Sequence, residues 1–475
     1  MYGRRPANPC ARGGVRISES SLPSVRSADP AIVWPAITAD WDSMLLAIGY
    51  QLDHSQWWSA AALRSHQMAQ LGALLTHAFE TVPFYRARLA ALSYRPGMAI
   101  TEEFWAALPI LERGEVQAQG EGLRSGAVPP SHGAVSPCVT SGSTGMAVKT
   151  YKTVLSELFW QAITLREENW QRRDLDGTLA VIRNDPLNAA PYPSGRSLAD
   201  WGPPVARLYP TGPAAVLEVH CAIAEQAEWL VRHNPDYLLT FATNGRFLAQ
   251  YCRDHGLALP RLRGVRSFGE VVDPQTRRVW RETYNLSIAD MYSAEEVGYI
   301  ALQCPQHEHF HVQSEVVLVE ILNDAGRSCS AGETGRVVVT PLHGFATPLI
   351  RYALGDYAEV GPPCPCGRGL PVLNRILGRE RSMATLPSGE KRFLSFDFDE
   401  PIAALIQYQV VQKSLKEIEV KLVARRPLVP AEEAIMRNLI CTSLGYEFRI
   451  RFTYVGEVPR MPGGKYFDFV SEIPA

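Results

Sequence analysis

Between Val154 and Glu270 the chain alternates short apolar runs with amphipathic stretches, and this alternation limits the fold more than any other feature of the sequence. Val154 to Trp170 has helical spacing, and Leu179-Ala180-Val181-Ile182 is a short buried strand bounded by Arg183-Asn184-Asp185-Pro186. Ala222 to His233 is helical, Tyr237 to Phe241 a strand, Gly245 to His255 a helix, and Val265-Arg266-Ser267-Phe268-Gly269-Glu270 a strand end. Strands that take turns with helices pack as a sheet flanked by helices, an α/β arrangement. At 475 residues the chain exceeds the size at which one core keeps growing, so more than one domain is expected.

Ahead of that region, Trp57 to Leu89 is a helical run broken at Pro83, and Thr101-Glu102-Glu103 opens another helix with a capping threonine and acids in the first turn. Beyond it, Val316 to Leu322 and Gly335 to Thr340 read as strands joined through the turn Asn323-Asp324-Ala325-Gly326. After Gly378-Arg379-Glu380-Arg381 a smaller α/β unit begins. It has strands at Ile418–Val423 and Phe448–Tyr454 around a helix at Pro430–Gly445. The expected organisation is therefore a flexible tail over 1–35, a large domain over 36–379 and a small C-terminal domain over 380–475.

Charged residues make up 20% of the chain with a formal net charge of −2, which leaves no electrostatic footprint for nucleic acid or an anionic membrane. No apolar stretch is long enough to span a bilayer. The N-terminal segment carries Arg4, Arg5, Arg12 and Arg16 without an apolar h-region, unlike a secretory signal. Nine scattered cysteines suit a reducing cytoplasm better than a disulfide framework.

Several short stretches carry chemistry. Val139-Thr140-Ser141-Gly142-Ser143-Thr144-Gly145 combines glycines that turn tightly with hydroxyls suited to a phosphate-like anion. Val148 precedes Lys149, so the run is not a Walker A loop. Asp290-Met291-Tyr292-Ser293-Ala294-Glu295-Glu296 sets paired carboxylates after a strand-like segment, where open α/β sheets bind ligands. Arg351-Tyr352 and Gly355-Asp356 follow, then Gly378-Arg379, and Lys465 closes the glycine-rich Pro459-Arg460-Met461-Pro462-Gly463-Gly464. Cys304, His307, His309, His311, Cys364 and Cys366 form a separate group of thiolate and imidazole donors suited to tetrahedral zinc. Cys364-Pro365-Cys366 supplies a hook, Cys304 with His311 the other pair, and three histidines compete for one place.

Taken in order, these motifs resemble the adenylate-forming superfamily of acyl-CoA synthetases and carrier-protein-loading adenylation enzymes. More narrowly, the chain resembles the phenylacetate–CoA ligase family and its capsular-polysaccharide-biosynthesis-type relatives. Val82-Pro83-Phe84-Tyr85-Arg86, Leu108-Pro109-Ile110-Leu111, Thr347-Pro348-Leu349-Ile350-Arg351-Tyr352 and Tyr408-Gln409-Val410-Val411-Gln412 extend the likeness over residues 40 to 475. The resemblance implies a large adenylate-forming domain with mixed sheets and helices and a small mobile C-terminal α+β domain. It implies an acid–thiol ligase that activates a carboxylic acid, expected to be aromatic, with ATP. Pyrophosphate leaves, and the acyl group passes to CoA or to carrier-protein phosphopantetheine. The alternatives are an amine acceptor, or a catalytically impaired nucleotide-binding relative. A soluble cytoplasmic enzyme is implied, and a homodimer is compatible with it.

By the same resemblance, Thr140, Ser141, Gly142, Ser143, Thr144 and Gly145 would hold the β- and γ-phosphates. Gly269 and Glu270 would line the adenine pocket, with Tyr292 nearby, and Asp356 would accept both ribose hydroxyls. Glu296 would bind Mg2+, a cation that prefers carboxylate oxygen. Arg351 and Arg379 would sit near the nucleotide, and Lys465 would stabilise charge on the α-phosphate. Glu380-Arg381 would be the hinge of the small domain. Trp160, Phe241, Thr243 and Asn244 are pocket candidates by analogy. Some relatives carry a comparable Cys/His site, so structural zinc on Cys304, His311, Cys364 and Cys366 is expected. The family turn reads Tyr-Gly-x-Ser/Thr-Glu. Here Ser293 replaces the glycine and Glu295 the hydroxyl residue that would face the α-phosphate, while Ala147 stands where proline is usual. A carboxylate there would have to be offset by magnesium, Arg351 or Arg379.

Overall fold

The structure, a computed structural model, describes residues 39–140, 147–187, 189–394, 402, 404–458, 460–461 and 463–473. The segment over 1–35 expected as a tail lies outside them.

Helical hairpins form the N-terminal face. The helix Ala60–Thr81 starts where Ser59 accepts from the Ala62 amide and buries Leu63, Leu71, Leu74, Leu75 and Ala78. Pro83 then occupies the first turn of the next helix, Pro83–Ala90, where a missing N–H does no harm. Thr101 caps Glu102–Ala107 by accepting from Phe104, and Thr153 caps Val154–Trp170 by accepting from Ser156.

Two large sheets organise the rest. In the six-stranded sheet the order is Arg196–Leu198, Ala214–Glu218, Leu179–Arg183, Tyr237–Thr240, Gly264–Ser267, Ile288–Ala289. All of its pairings are parallel except the first. Helices on its faces bury Ala180, Ile182, Leu217 and Leu238, so these strands read as continuous apolar runs. The seven-stranded sheet is antiparallel and runs from Val317–Leu322 through Thr334–Pro341, Tyr352–Val360, Val372–Arg379, Phe310–Val312 and Gly298–Gln303 to Met291–Ala294. Its apolar face shares one core with the N-terminal helices, joining Leu71, Leu75 and Tyr85 to Val337, Val339 and Tyr352. Asn323–Gly326 turns the chain as expected so that Ser328 bridges back to Leu322, but the connection between the first two strands runs on to residue 333.

The C-terminal unit has its own core of Ala384, Val410, Val420, Leu422, Met436, Ile440 and Phe469. Its four-stranded sheet is ordered Arg449–Tyr454, Glu417–Ala424, Leu405–Ser414, Phe469–Ser471, with the helix Pro430–Leu444 between strands. The central pair is antiparallel and both outer strands are parallel to their neighbours. Among the described residues no helix is long and apolar enough to cross a membrane.

Tyr237–Thr240, Gly264–Ser267 and Ile288–Ala289 run parallel, so their carboxyl ends lie along one edge of the sheet. Ligand-binding groups collect at that edge of an open α/β sheet.

Candidate active site

Strands Val135–Val139 and Lys149–Thr153, which flank the hydroxyl run in the sequence, pair as an antiparallel hairpin. Its ends are tied by Thr140 N to Val148 O at 3.0 Å and by Val148 N to Thr140 Oγ1 at 2.9 Å. Ser141, Gly142, Ser143, Thr144 and Gly145 lie outside the described residues. Lys149 turns to the surface and pairs with Glu121 at 2.7 Å.

Beside Thr140 lies an arginine that no motif singled out. Arg113, the first residue of the helix Arg113–Gln119, has Nη2 at 3.5 Å from Thr140 Oγ1 and Nη1 at 3.5 Å from Glu296 Oε1. Its Nη1 also donates to the Tyr352 hydroxyl at 3.2 Å, and that hydroxyl lies 3.2 Å from Glu296 Oε1. The Nε–H of Arg113 is buried without a protein acceptor among the described residues, a donor left for another group. Glu296 itself is buried, so its carboxylate depends on these neighbours. Arg113 stands just after Leu108-Pro109-Ile110-Leu111 but far along the chain from Thr140, Glu296 and Tyr352, so only tertiary structure joins it to them.

Asp356 sits in register opposite Arg379 on adjacent strands. Tyr292 Oη donates to its Oδ2 at 2.7 Å, and Arg379 Nε lies 3.4 Å from its Oδ1. Burial and then the facing Asp356 charge push the Tyr292 hydroxyl well above its ordinary range, so it stays a donor.

The C-terminal unit reaches this edge with Lys465. A Cβ added to Gly269 would lie 3.2 Å from Lys465 Cε and 3.5 Å from its Nζ, so the lysine lies directly over the Gly269-Glu270 turn. Gly269 has φ +73°, a conformation that glycine holds without strain. Glu270 accepts from the Thr243 amide at 2.9 Å and from the Tyr466 amide at 2.6 Å. Burial raises its carboxyl above the usual range, and the two amides work against that rise. Asn244 Oδ1 accepts from Arg460 at 2.6 Å, and Phe241 lies under Gly464. Phe241 and Asn244, read from the sequence as acid-pocket candidates, are thus engaged with the C-terminal unit, while Thr243, read the same way, gives its amide to Glu270.

Arg351 is not brought to this constellation. Its Nε and Nη2 pair with Glu320 at 3.1 and 2.9 Å, and its Nη1 donates to the carbonyls of Ala106 (2.9 Å) and Leu108. With φ +51° the backbone turns this side chain away into the N-terminal helices. The structure holds Arg351, expected from the motif near a nucleotide, in that buried pair with Glu320. Glu295 is exposed and has its Oε1 3.7 Å from Cys138 Sγ, so neither Arg351 nor Arg379 is its partner here.

Next to Glu296 a cleft opens between the helix Val154–Trp170 and the antiparallel sheet. Phe159, Trp160, Ile163, Tyr299 and His343 line it, with Lys152 also on its wall. Phe159 stacks on His343 with ring centroids 3.9 Å apart, and Trp160 stacks on Tyr299 at 5.9 Å.

Far from Lys465 in sequence, the hairpin Gly298–Gln303/Phe310–Val312 and the connection after Tyr352–Val360 bring Cys304, His311, Cys364 and Cys366 together. Their donor atoms all lie within 4.8 Å of one another. Cys304 Sγ and Cys364 Sγ are 3.8 Å apart, and Cys366 Sγ is 3.4 Å from His311 Nε2. Bonds of ~2.3 Å to zinc set tetrahedral sulfur–sulfur edges of ~3.8 Å, so the donor set fits that ion. His309 Nε2 also lies 2.9 Å from Cys364 Sγ, the competition expected from the spacing. Burial and then the nearby Arg368 charge depress His311 to about 4, which keeps it neutral. Burial raises the Cys366 thiol, but hydrogen bonds from Arg368 and Cys364 leave it net lowered.

Comparison with solved structures finds the same architecture. A 2-hydroxyisobutyryl-CoA ligase in its postadenylation state superposes with a TM-score of 0.70 at 18% identity, covering 88% of this chain and 92% of that one. The same ligase in its thioesterification state gives 0.56 at 19% identity over 88% and 92%. An anthranilate CoA ligase gives 0.52 at 16% identity over 70% of this chain and 66% of its own. No curated protein matches the sequence. Residues 393–472 match the CapK C-terminal domain. The chain carries the fold of the adenylate-forming acyl-CoA ligases, ending in a CapK-type C-terminal domain.

Proposed function

We propose that the protein activates a carboxylic acid with ATP and transfers the acyl group to the thiol of CoA. The observation that carries the reading is Lys465 of the small domain lying over Gly269-Glu270, beside a large-domain edge that also carries Tyr292, Asp356 and Arg379. In the first step an acid oxygen bonds to the α-phosphorus as the bond to pyrophosphate breaks. In the second, the thiol sulfur bonds to the acyl carbon and AMP leaves with the carboxyl oxygen. Both displacements depend on positioning and on charge held where it develops.

In this reading Lys465 supplies a mobile positive charge at the α-phosphate. Asp356, fixed by Tyr292 and Arg379, accepts the ribose hydroxyls. Thr140, the rest of its loop and Arg113 hold the phosphates that leave. Glu296 would hold Mg2+, whose chemistry is to offset phosphate charge. The aromatic lining of the cleft beside Glu296 supports a flat acid, and the CapK-type ending supports the phenylacetate–CoA ligase-like branch. The Cys/His cluster would hold zinc with four protein ligands and no open position, a structural clip.

The test is ATP–pyrophosphate exchange driven by benzoate, phenylacetate, anthranilate or 2-hydroxyisobutyrate. At least one acid should support exchange in the wild type, and Lys465→Ala should lower it by about 100-fold or more with the fold intact. Full exchange in Lys465→Ala would refute the role of the lysine, and no exchange with any carboxylate would refute the reading.

A further inference from the structure

Main-chain hydrogen bonds tie together the described residues around Lys465. Met461 N donates to Lys465 O and Gly464 N to Met461 O, each at 2.8 Å, so the turn closes on itself. Gly464 has φ +82°, and a Cβ there would meet Val219 at 2.8 Å and Phe241 at 3.0 Å. The tip is therefore seated closely on the large domain.

Polar contacts hold it there from several sides. Arg460 reaches Asn244, whose own Nδ2 is fixed by Gln226 at 2.8 Å and Thr240 at 2.9 Å. Arg246 pairs with Asp273 at 2.8 Å in the large domain and with Asp468 at 3.3 Å in the small one. Glu270 differs from both: it binds main chain on each side, and its lid partner is the amide immediately after Lys465. No flexible side chain intervenes between this carboxylate and the backbone that aims the lysine. Glu270 is half-buried, and its two oxygens answer one amide each, so releasing Tyr466 leaves Oε1 without that donor.

We infer that Glu270 is a positioning residue, the latch that fixes Lys465 over the site for adenylation and lets go of it for transfer. The inference rests on the acid-activating function proposed above. It gives Glu270 a task other than lining an adenine pocket. The higher likeness to the postadenylation ligase than to its thioesterification state, 0.70 against 0.56, agrees with a lid docked in the adenylation position.

The experiment has a structural arm and a kinetic arm, both on the full chain. Hydrogen exchange of the 460–468 segment is compared in the wild type, Glu270→Gln and Glu270→Ala without ligand. Kinetics then separate ATP–pyrophosphate exchange, with the acid the wild type accepts, from CoA acylation by the corresponding synthetic acyl-adenylate. Glu270→Ala should raise exchange at the tip about tenfold or more while Leu405–Ser414 stays protected. It should slow adenylation about 30- to 100-fold and leave transfer within about threefold. Glu270→Gln should fall between, since its carbonyl can still accept from Tyr466 while its NH2 cannot accept from Thr243. Unchanged exchange at the tip, or equal loss in both half-reactions, would overturn the latch. If no acid is activated by the wild type, the proposed function fails, and tip exchange alone decides whether Glu270 holds the lid.

Discussion

Arg351 offers a direct choice between a catalytic and a structural arginine. The Arg351 and Glu320 side chains are 5% and 13% exposed and meet at 2.9 Å, and the same guanidinium satisfies the carbonyls of Ala106 and Leu108. Arg351→Met leaves Glu320 as an uncompensated, nearly buried charge. Breaking such a pair from one side costs about 3–5 kcal/mol. Each stranded carbonyl adds about 1 kcal/mol where water does not reach it. Against a total stability of about 5–15 kcal/mol, the single variant should lose much of its folded population on warming. Arg351→Met with Glu320→Leu removes both charges together and should return to within about 1–2 kcal/mol of the wild type, since an apolar pair of similar volume replaces an ion pair at little net cost. Urea unfolding followed by tryptophan fluorescence reads the stabilities, and pyrophosphate exchange per folded molecule reads the chemistry. A single variant that unfolds like the wild type yet no longer binds ATP would refute this reasoning and restore Arg351 to the nucleotide.

Protein prepared without chelator should contain about one zinc per chain, and Cys364→Ser or His311→Ala should release it and lower the thermal midpoint; elemental analysis that finds no metal would count against the site. Burial depresses His343 to about 4, so below its unfolded value of 6.5 the unfolded chain binds a proton that the folded chain refuses. Stability should therefore fall as pH drops from about 6.5 to 4, by at most on the order of 3 kcal/mol, and His343→Gln should flatten that limb of the midpoint–pH curve.

Much of this architecture could be read from the chain because local rules and tertiary packing agreed there. Pro83, Thr101 and the Val154–Trp170 periodicity each mark an observed helix boundary or span. The strands at Leu179 and Tyr237 are apolar because both faces of their sheet are covered. The pairing order of the antiparallel sheet was not legible: Phe310–Val312 lies against Val372–Arg379, far along the chain, and no turn signal encodes that contact. At the site, the donors of the Cys/His cluster were legible because soft ligands are rare and chemically distinctive. Arg113 and the Glu270–Tyr466 contact were not, since a lone arginine and a main-chain amide carry no pattern. Arg351 shows the converse: its motif neighbours Tyr352 and Asp356 bond to Glu296 and Tyr292, while its own side chain pairs with Glu320, a difference in direction that the motif does not spell out.

The edge strand Phe469–Ser471 sets a boundary for recombination. It runs parallel to Leu405–Ser414, and the residues just before it are tethered to that strand as well. Asp468 O accepts from Val410 N at 2.8 Å, Phe467 O accepts from Gln409 Nε2 at 3.1 Å, and the Tyr466 hydroxyl donates to Tyr408 O. Lys465 is thus the end of a stiff lever rooted in Leu405–Ser414. A chimera spliced between that strand and the lysine would inherit a lever from one parent and its root from another, and register errors there would arrive undamped at Lys465. Splices placed upstream of Leu405 transplant lever and root as one inherited module.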